Sequence, residues 1–375
     1  MNDVYVVGVG MTVFGAHGPG MGVALGVEAA RAALADASTS FAGIEAVYAG
    51  SAHPLSPRGV LVARELGLTG VPVQHVSNAS ATGLAAVHEA ATAIEAGRVD
   101  TALVIGLDSP ETEMPTESVI TSEGNLPPAV SFALWAGQRI GEHGTTLGHL
   151  AAVAAKNWNY ARDNPFAARR APHPVDADRI LNSRIVADPL TAMMCTPWGE
   201  GAAAAVLCSG QALARFPEDR AVHLAASVTR SERYNPGEVL QGAIVGSAAL
   251  TRDTARAALQ QAEIGPDDVD VVQVHDAFAI EEILYYELLG FSEPGQTEEL
   301  IEAGAFGPGS RKRFGLPEFS TDGGLIARGH PGAPTGLAQI WETVRRLRAN
   351  DPDRIGMCHL LGSGATCIVQ VLQRP

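Results

Sequence analysis

The chain contains its own duplicate. Ala30-Arg31-Ala32-Ala33-Leu34 recurs as Ala255-Arg256-Ala257-Ala258-Leu259, and Thr82-Gly83-Leu84-Ala85 recurs, in the same order, as Thr335-Gly336-Leu337-Ala338. Ile44 and Val47 follow the first copy of the longer repeat at the same distances at which Val269 and Val272 follow the second. A helix followed by its strand at fixed spacing, twice over, predicts a duplicated α/β unit. Ser80 and His330 lie in the loops just before the second pair of repeated helices. Duplication therefore puts two reactive side chains at related helix starts.

Composition narrows the class. The chain has 375 residues, 46% apolar and 18% charged, so a sizeable core is expected and disorder is not. A net charge of −15 argues against nucleic acid, which needs clustered Lys and Arg, but leaves room for a phosphorylated small ligand on a local basic patch. No apolar run approaches the roughly 18 residues of a membrane span. Met1-Asn2-Asp3-Val4 does not open a secretory signal. A cytoplasmic protein without membrane contact is the expectation. Cys195, Cys208, Cys358 and Cys367 form no Cys-x-x-Cys pair and are expected to be buried, reduced thiols, with no metal or resident cofactor.

Apolar runs predict strands at Val4–Val9, Ile44–Ala49, Val71–Val76, Thr101–Ile105, Gly201–Leu207, Ala221–Val228, Val269–Val274, Met357–Leu361 and Cys367–Leu372. Helical spacing predicts helices at Val23–Ala35, Thr82–Ala96, Thr251–Gln261, Ile280–Leu289 and Pro334–Arg348. Arg345, Arg346 and Arg348 close the last of these, where cations suit the helix dipole. The irregular stretch of about 110–197 predicts an insertion covering the first half, and 291–317 a second, smaller cover. The halves are then 1–250, including the insertion, and 251–375.

Four places could carry chemistry. Ser80 stands where a strand runs into a helix, close to exposed N–H groups and the positive end of the dipole, which suits a nucleophile and an oxyanion. On pattern alone the N-cap is the favoured reading, since Ser, Asn and Thr crowd there. His330, between Gly329 and Pro331, reads as a fixed general acid or base, or as a loop histidine bonded to a carbonyl. His275-Asp276 ends a buried strand, where open α/β sheets bind ligands, or caps the helix that follows. Gly362-Ser363-Gly364 joins two strands and either aims N–H groups into a pocket or is simply a turn.

Taken in order, these segments resemble the thiolase superfamily, in particular its sterol-carrier-protein-X type, over nearly the whole chain. Val6-Val7-Gly8-Val9-Gly10 resembles the opening strand, and Ser80-Ala81-Thr82-Gly83 the nucleophile motif. Asn164-Pro165, Ser183-Arg184 and Gly201-Ala202-Ala203-Ala204 resemble connecting motifs. His275-Asp276-Ala277-Phe278, Gly329-His330-Pro331 and Leu360-Leu361-Gly362 resemble the three remaining site motifs. The resemblance implies two βαβαβαββ halves in a five-layered α-β-α-β-α sandwich, a CoA thioester as substrate, and an acyltransferase of lipid metabolism. It implies oxyanion holes from the N–H groups of Ser80 and Gly362 and from His330 with His275. A homodimer and a small zinc-ribbon/OB-fold partner are implied in the same way.

The departures matter as much. Ser80 occupies the place of the family's nucleophilic cysteine, and sequence is equally compatible with a natural serine and an engineered replacement. The second cysteine, a carbon-acid base, has Leu360 or Ala277 in its two family positions. An alcohol is far less acidic than a thiol and needs a base in contact. The resulting reading is a thiolase-like acyltransferase working through residue 80. Its alternatives are a retro-aldolase on a side-chain CoA ester, for which only Tyr285 and Tyr286 lie near in sequence, and a non-catalytic acyl-CoA or lipid binder.

Overall fold

The computed structural model describes residues 2–52, 58–109, 127–233, 246–349, 353–362 and 366–375. Strand Val4–Met11 (β1) leads to helix Gly22–Asp36 (α1), then Ala46–Gly50 (β2), Arg58–Leu66 (α2), Val73–Val76 (β3), Thr82–Glu95 (α3) and Thr101–Asp108 (β4). Helices Pro128–His143 (α4), Leu147–Arg162 (α5) and Ala177–Leu181 (α6) follow, with the paired strands Ile185–Ala187 (β5) and Leu190–Thr191 (β6); Gly201–Ser209 (β7) then returns to the main sheet. The second half begins at Val222 and not after residue 250 as expected, because β8 pairs along its length with β12: it runs Val222–Ser231 (β8), Ala248–Gln261 (α7), Val271–Gln273 (β9), Ala279–Leu288 (α8), Thr297–Glu302 (α9), Ser310–Phe314 (α10), Glu318–Phe319 (β10), Pro334–Arg348 (α11), Ile355–Gly362 (β11) and Thr366–Gln373 (β12).

Ten strands form one sheet in the order β10-β9-β11-β12-β8-β1-β7-β4-β2-β3. Outward from the middle, the two halves repeat one pattern: β1-β7-β4-β2-β3 matches β8-β12-β11-β9-β10. They join antiparallel through Tyr5 with His223 and Val6 with Val222. The repeated segments fall on equivalent helices, α1 with α7 and α3 with α11, as duplication requires.

Three apolar clusters separate five layers. Val7, Leu103, Ile105 and Val206 meet α1 on one outer side. The other faces of those strands, with Val104 and Leu207, enclose α3 and α11 together with Leu360, Ile368 and Leu372 from the second half. Val369 and Val371, alternating with Ile368 and Leu372 along β12, face the opposite outer side and its helices α7 and α8. β7 is buried along its whole length, which is why its sequence is a continuous run of small apolar residues and not an alternation.

The central helices touch backbone to backbone. A Cβ on Gly83 would lie 2.5 Å from the Ala333 carbonyl oxygen and 3.0 Å from the Leu337 nitrogen, and one on Gly336 would lie 2.6 Å from the Leu84 nitrogen. The repeated Thr-Gly-Leu-Ala segments are thus the contact that brings the two helix starts side by side.

Some expectations need correction. The insertion covers the second half rather than the first. Leu150, Ala154 and Trp158 of α5 and Phe132 of α4 share a core with Ile280, Ile283 and Tyr285 of α8, and the Phe132 ring stacks on Phe278 with centroids 4.5 Å apart. The apolar face of α5 finds its match there because α8 offers the complementary surface. Helix α2 and strand β10 were not expected. The α2 segment carries Gly59 and two valines among nine residues, which weakens its helical signal, and it is held by burial of Val62 and Ala63 against α1. β10 is too short to show any period. The arginines closing α11 serve tertiary pairing: Arg346 meets Asp353 at 2.5 Å and Arg348 meets Asp36 at 2.6 Å, tying the central helix to α1.

Replacing Gly83 with Ala should lower stability by about 1–3 kcal/mol, because the neighbouring backbone cannot yield. Gly137→Ala on the exposed face of α4, where an added Cβ meets nothing within 4 Å, should be neutral or stabilising by about 0.5–1 kcal/mol. Urea denaturation of the two variants checks the contrast.

Candidate active site

The site is built on the starts of the two crossed helices. Between β3 and α3 the chain makes a tight turn over Ala79–Ala81, with Ala79 held at a φ of +44°, a conformation a side chain rarely adopts. The Asn78 N–H donates to Thr82 Oγ1 at 2.8 Å, and that hydroxyl donates to the Ala79 carbonyl at 2.6 Å. Two bonds from one threonine therefore fix the turn that projects Ser80.

Ser80 does not cap α3. The capping position is Ala81, which offers no side-chain bond. The Ser80 hydroxyl instead lies 2.9 Å from His330 Nε2. His330 Nδ1 is 2.7 Å from Thr335 Oγ1, in the first turn of α11. The histidine is therefore held by two hydroxyls, one from each copy of the duplicated unit, and not by a carbonyl. With Nδ1–H assigned as donor to Thr335, Nε2 is left to accept from Ser80. Burial, then the neighbouring His275 and Arg328, hold the His330 imidazole well below its ordinary value. The ring is neutral at pH 7, the state in which it can accept a hydroxyl proton.

The loop carrying His330 is clamped from both sides. Asp108, at the end of β4, accepts the Ala333 N–H at 2.6 Å and the Ser51 hydroxyl at 2.8 Å. The carboxylate thus caps α11 from another element, where the helix dipole favours a negative charge. A Cβ on Gly332 would reach within 2.6 Å of that carboxylate, so the position needs glycine. On the other side, the Ala168 N–H donates to the Arg328 carbonyl at 2.9 Å. Arg328 is itself fully buried and paired to Asp322 at 2.5 Å.

His275 comes to the same place from β9. Its ring sits edge-on to that of His330, with centroids 5.4 Å apart. Its Nδ1 lies 2.8 Å from Glu281 Oε1, and Glu281 also accepts the Phe278 N–H at 3.0 Å and the Tyr285 hydroxyl at 3.1 Å. Asp276 does not pair with His275. It accepts from Asn157 at 2.8 Å and from the Leu325 N–H at 2.7 Å, behind the site. Burial, then Glu282, push its carboxyl up. Gly362 ends β11 against the turn before Ser80: a Cβ there would lie 2.6 Å from Asn78 Oδ1. Ser80, His330, His275 and Gly362 are thus brought together. Residues 363–365, the rest of that Gly-x-Gly segment, lie outside the described residues.

Leu360 lies buried in the central core and Ala277 buried beside Phe278, and neither offers an acid–base group. All four cysteines are free and buried, and burial pushes each thiol up to about 12. Cys358 faces the same core as Leu360, as strand alternation predicts, and lies 3.3 Å from Thr343 Oγ1. The Tyr285 and Tyr286 hydroxyls are committed to Glu281 and Glu282, at 3.1 and 2.5 Å. Among the described residues no group of three or more His, Cys, Asp or Glu is placed to hold a metal ion, and no helix is long and apolar enough to cross a membrane.

Sequence reasoning missed Thr335, Glu281 and Asp108. Thr335 opens the repeated Thr-Gly-Leu-Ala, whose Thr82 fixes the other turn, so the repeat itself was a usable signal. Glu281 follows Phe278 at capping-box spacing. Nothing local marks Asp108, whose partners are distant in sequence.

Known proteins agree with this fold. Residues 4–177 match the thiolase N-terminal domain family, and 243–363 the thiolase C-terminal domain-like family. Benzoylsuccinyl-CoA thiolase subunit BbsB of Thauera aromatica is 30% identical over 96% of this chain and 95% of its own. Acetyl-CoA acetyltransferase of Methanothermobacter thermautotrophicus is 33% identical, with all of both chains covered. Among solved structures, the Ltp2-ChsH2(DUF35) aldolase superposes with a TM-score of 0.82 over 99% of this chain and 97% of that one, at 21% identity, a likeness of fold. The chain belongs to the thiolase superfamily, among its thiolase-like acyl-CoA acyltransferases.

His359 provides a titration test in the layer behind the site. It is fully buried on β11, its ring 4.5 Å from that of Tyr285, and neither ring nitrogen has a hydrogen-bond partner among the described residues. Burial, then His275, lower it to about 3. The unfolded chain protonates this side chain near pH 6.5 and the folded chain does not, so its contribution to stability is present above that pH and is lost as pH falls toward 3. His359→Phe should therefore lose about 2 kcal/mol less than the parent between pH 7.5 and 5, read from urea midpoints at both pH values.

Proposed function

We propose that the chain transfers acyl groups from CoA thioesters through an acyl-Ser80 intermediate. The observation that carries this is the 2.9 Å contact between the Ser80 hydroxyl and His330 Nε2 at the start of α3. Ser80 Oγ attacks the thioester carbonyl while Nε2 takes its proton, and Thr335 orients the ring through Nδ1. The Ser80 and Gly362 N–H groups receive the oxyanion, in a place where the dipole of α3 favours negative charge. Glu281 orients His275, which stands beside His330 as the second polarising group. Burial that keeps His330 neutral also opposes the imidazolium formed on proton transfer, so turnover is expected to be slower than with a carboxylate behind the ring.

Family membership supports the substrate class, and the filled Ala277 and Leu360 positions speak against condensation that needs a thiol base. The committed tyrosine hydroxyls speak against retro-aldol cleavage by those residues. A homodimer and a small zinc-ribbon/OB-fold partner belong to the same reading; light scattering of the purified chain tests the first.

Acetyl-CoA and octanoyl-CoA, each followed by peptide mass spectrometry, test the intermediate. Acyl mass on the Ser80 peptide is expected, with none in Ser80→Ala. His330→Ala should slow acylation by roughly 10²–10⁴-fold. Ser80→Cys should raise the rate of CoA release, because a thiolate fraction becomes available. An unmodified Ser80 peptide with both substrates, together with CoA release that survives Ser80→Ala, refutes the proposal.

A further inference from the structure

We infer that the acyl group leaves this site on a hydroxyl oxygen, that of water foremost, so that the chain is a CoA-thioester hydrolase and neither a thiol-exchange nor a condensing enzyme. This rests on the acyl-Ser80 reading and adds the acceptor to it.

The chemistry of residue 80 is the first ground. An acyl group on Ser80 Oγ is an oxyester. Oxygen overlaps with the carbonyl better than sulfur does, so the group drops in energy on leaving CoA, and returning it to any thiol is uphill. Transfer to another oxygen has no such barrier, and transfer to water is downhill.

The second ground is what surrounds the ester. A carbon acceptor must lose a proton before it can attack. The positions from which a thiol could take it hold Ala277 and Leu360, and the four thiols present are buried and protonated. The His330 ring, by contrast, is placed for an oxygen acceptor. The nitrogen that holds the Ser80 hydroxyl at 2.9 Å is the nitrogen that can hold a water or alcohol attacking the same carbonyl. Ser80 and His330 each keep part of their surface exposed.

The steps balance. In the first, the bond from Ser80 Oγ to the acyl carbon forms, the carbon–sulfur bond breaks, and the hydroxyl proton passes through His330 Nε2 to the leaving sulfur. In the second, a bond from water oxygen to the acyl carbon forms and the bond to Oγ breaks. One water proton passes through Nε2 back to Oγ, giving a carboxylic acid and free Ser80. Water is the only co-reactant, and nothing is oxidised or reduced.

The test incubates the full chain with acetyl-CoA or octanoyl-CoA in ¹⁸O-water, with and without excess N-acetylcysteamine or glycerol. Free CoA, free acid, acyl-N-acetylcysteamine, glycerol ester and acyl-Ser80 peptide are all measured. The expected result is one singly ¹⁸O-labelled acid per CoA released, undiverted by the thiol and lost in Ser80→Ala at unchanged circular dichroism. Diversion to glycerol ester in place of acid overturns the hydrolase assignment, while leaving an oxygen acceptor standing. Ser80→Cys should shift the product ratio from acid toward acyl-N-acetylcysteamine by tenfold or more. Acyl-Ser80 that forms and then passes chiefly to N-acetylcysteamine, or into a carbon–carbon bonded product, overturns the inference while leaving the intermediate standing. Acid formed in Ser80→Ala at the parent rate, or no CoA released from either thioester, overturns both.

Discussion

The close crossing of α3 and α11 is the constraint on which everything else depends. Two glycines let the helices meet backbone to backbone, and this decides how far apart their first turns lie. Ser80 stands just ahead of one helix and His330 four residues ahead of the other. A hydrogen bond is lost if its partners separate by much more than half an ångström. A side chain at either glycine would therefore act on the chemistry from within the central layer, even though neither residue touches the reacting atoms. Fixing such a contact through packed helices, and not through a loop, gives the precision that proximity effects demand.

Behind that contact the protein is unusually charged for an interior. Lys156 meets Glu282 at 2.7 Å, Asn157 bridges Glu282 and Asp276, and Asp322 pairs with Arg328 beneath the His330 loop. Buried ion pairs add little net stability, but breaking one leaves a stranded charge. Their effect here is to lock α5, α8 and the turn Gly324–Arg328 into one arrangement. The insertion supplies Lys156 and Asn157, which add to the bonds that Glu282 takes from Tyr286 and Ser320 and that Asp276 takes from the Leu325 N–H, so polar pairing joins apolar packing in holding it over the second half.

A hydroxyl at residue 80 sets different demands on the surrounding groups than a thiol would. A thiol near a helix start ionises on its own, whereas a hydroxyl needs a base in contact. The structure holds such a contact, and the backbone elements expected to receive an oxyanion converge on the same turn. Leu360 and Ala277, by contrast, only pack. In the reading proposed here, the site keeps the means to form an ester and lacks a base for a carbon acceptor.

Much of this was legible in the sequence. The repeats announced the duplication, because equivalent helices keep equivalent contacts, and the motif order announced the fold. Ser80, His330, His275 and Gly362 were all identifiable as candidates, since strand ends and helix starts are where such folds place chemistry. Local patterning could not show whether Ser80 caps its helix or faces a histidine, because both uses need the same residue at the same place. Thr335, Glu281 and Asp108 were hidden for a related reason: a side chain's partner is set by the packing of distant segments. Periodicity records which face of an element is buried, and nothing in it records what that face will meet.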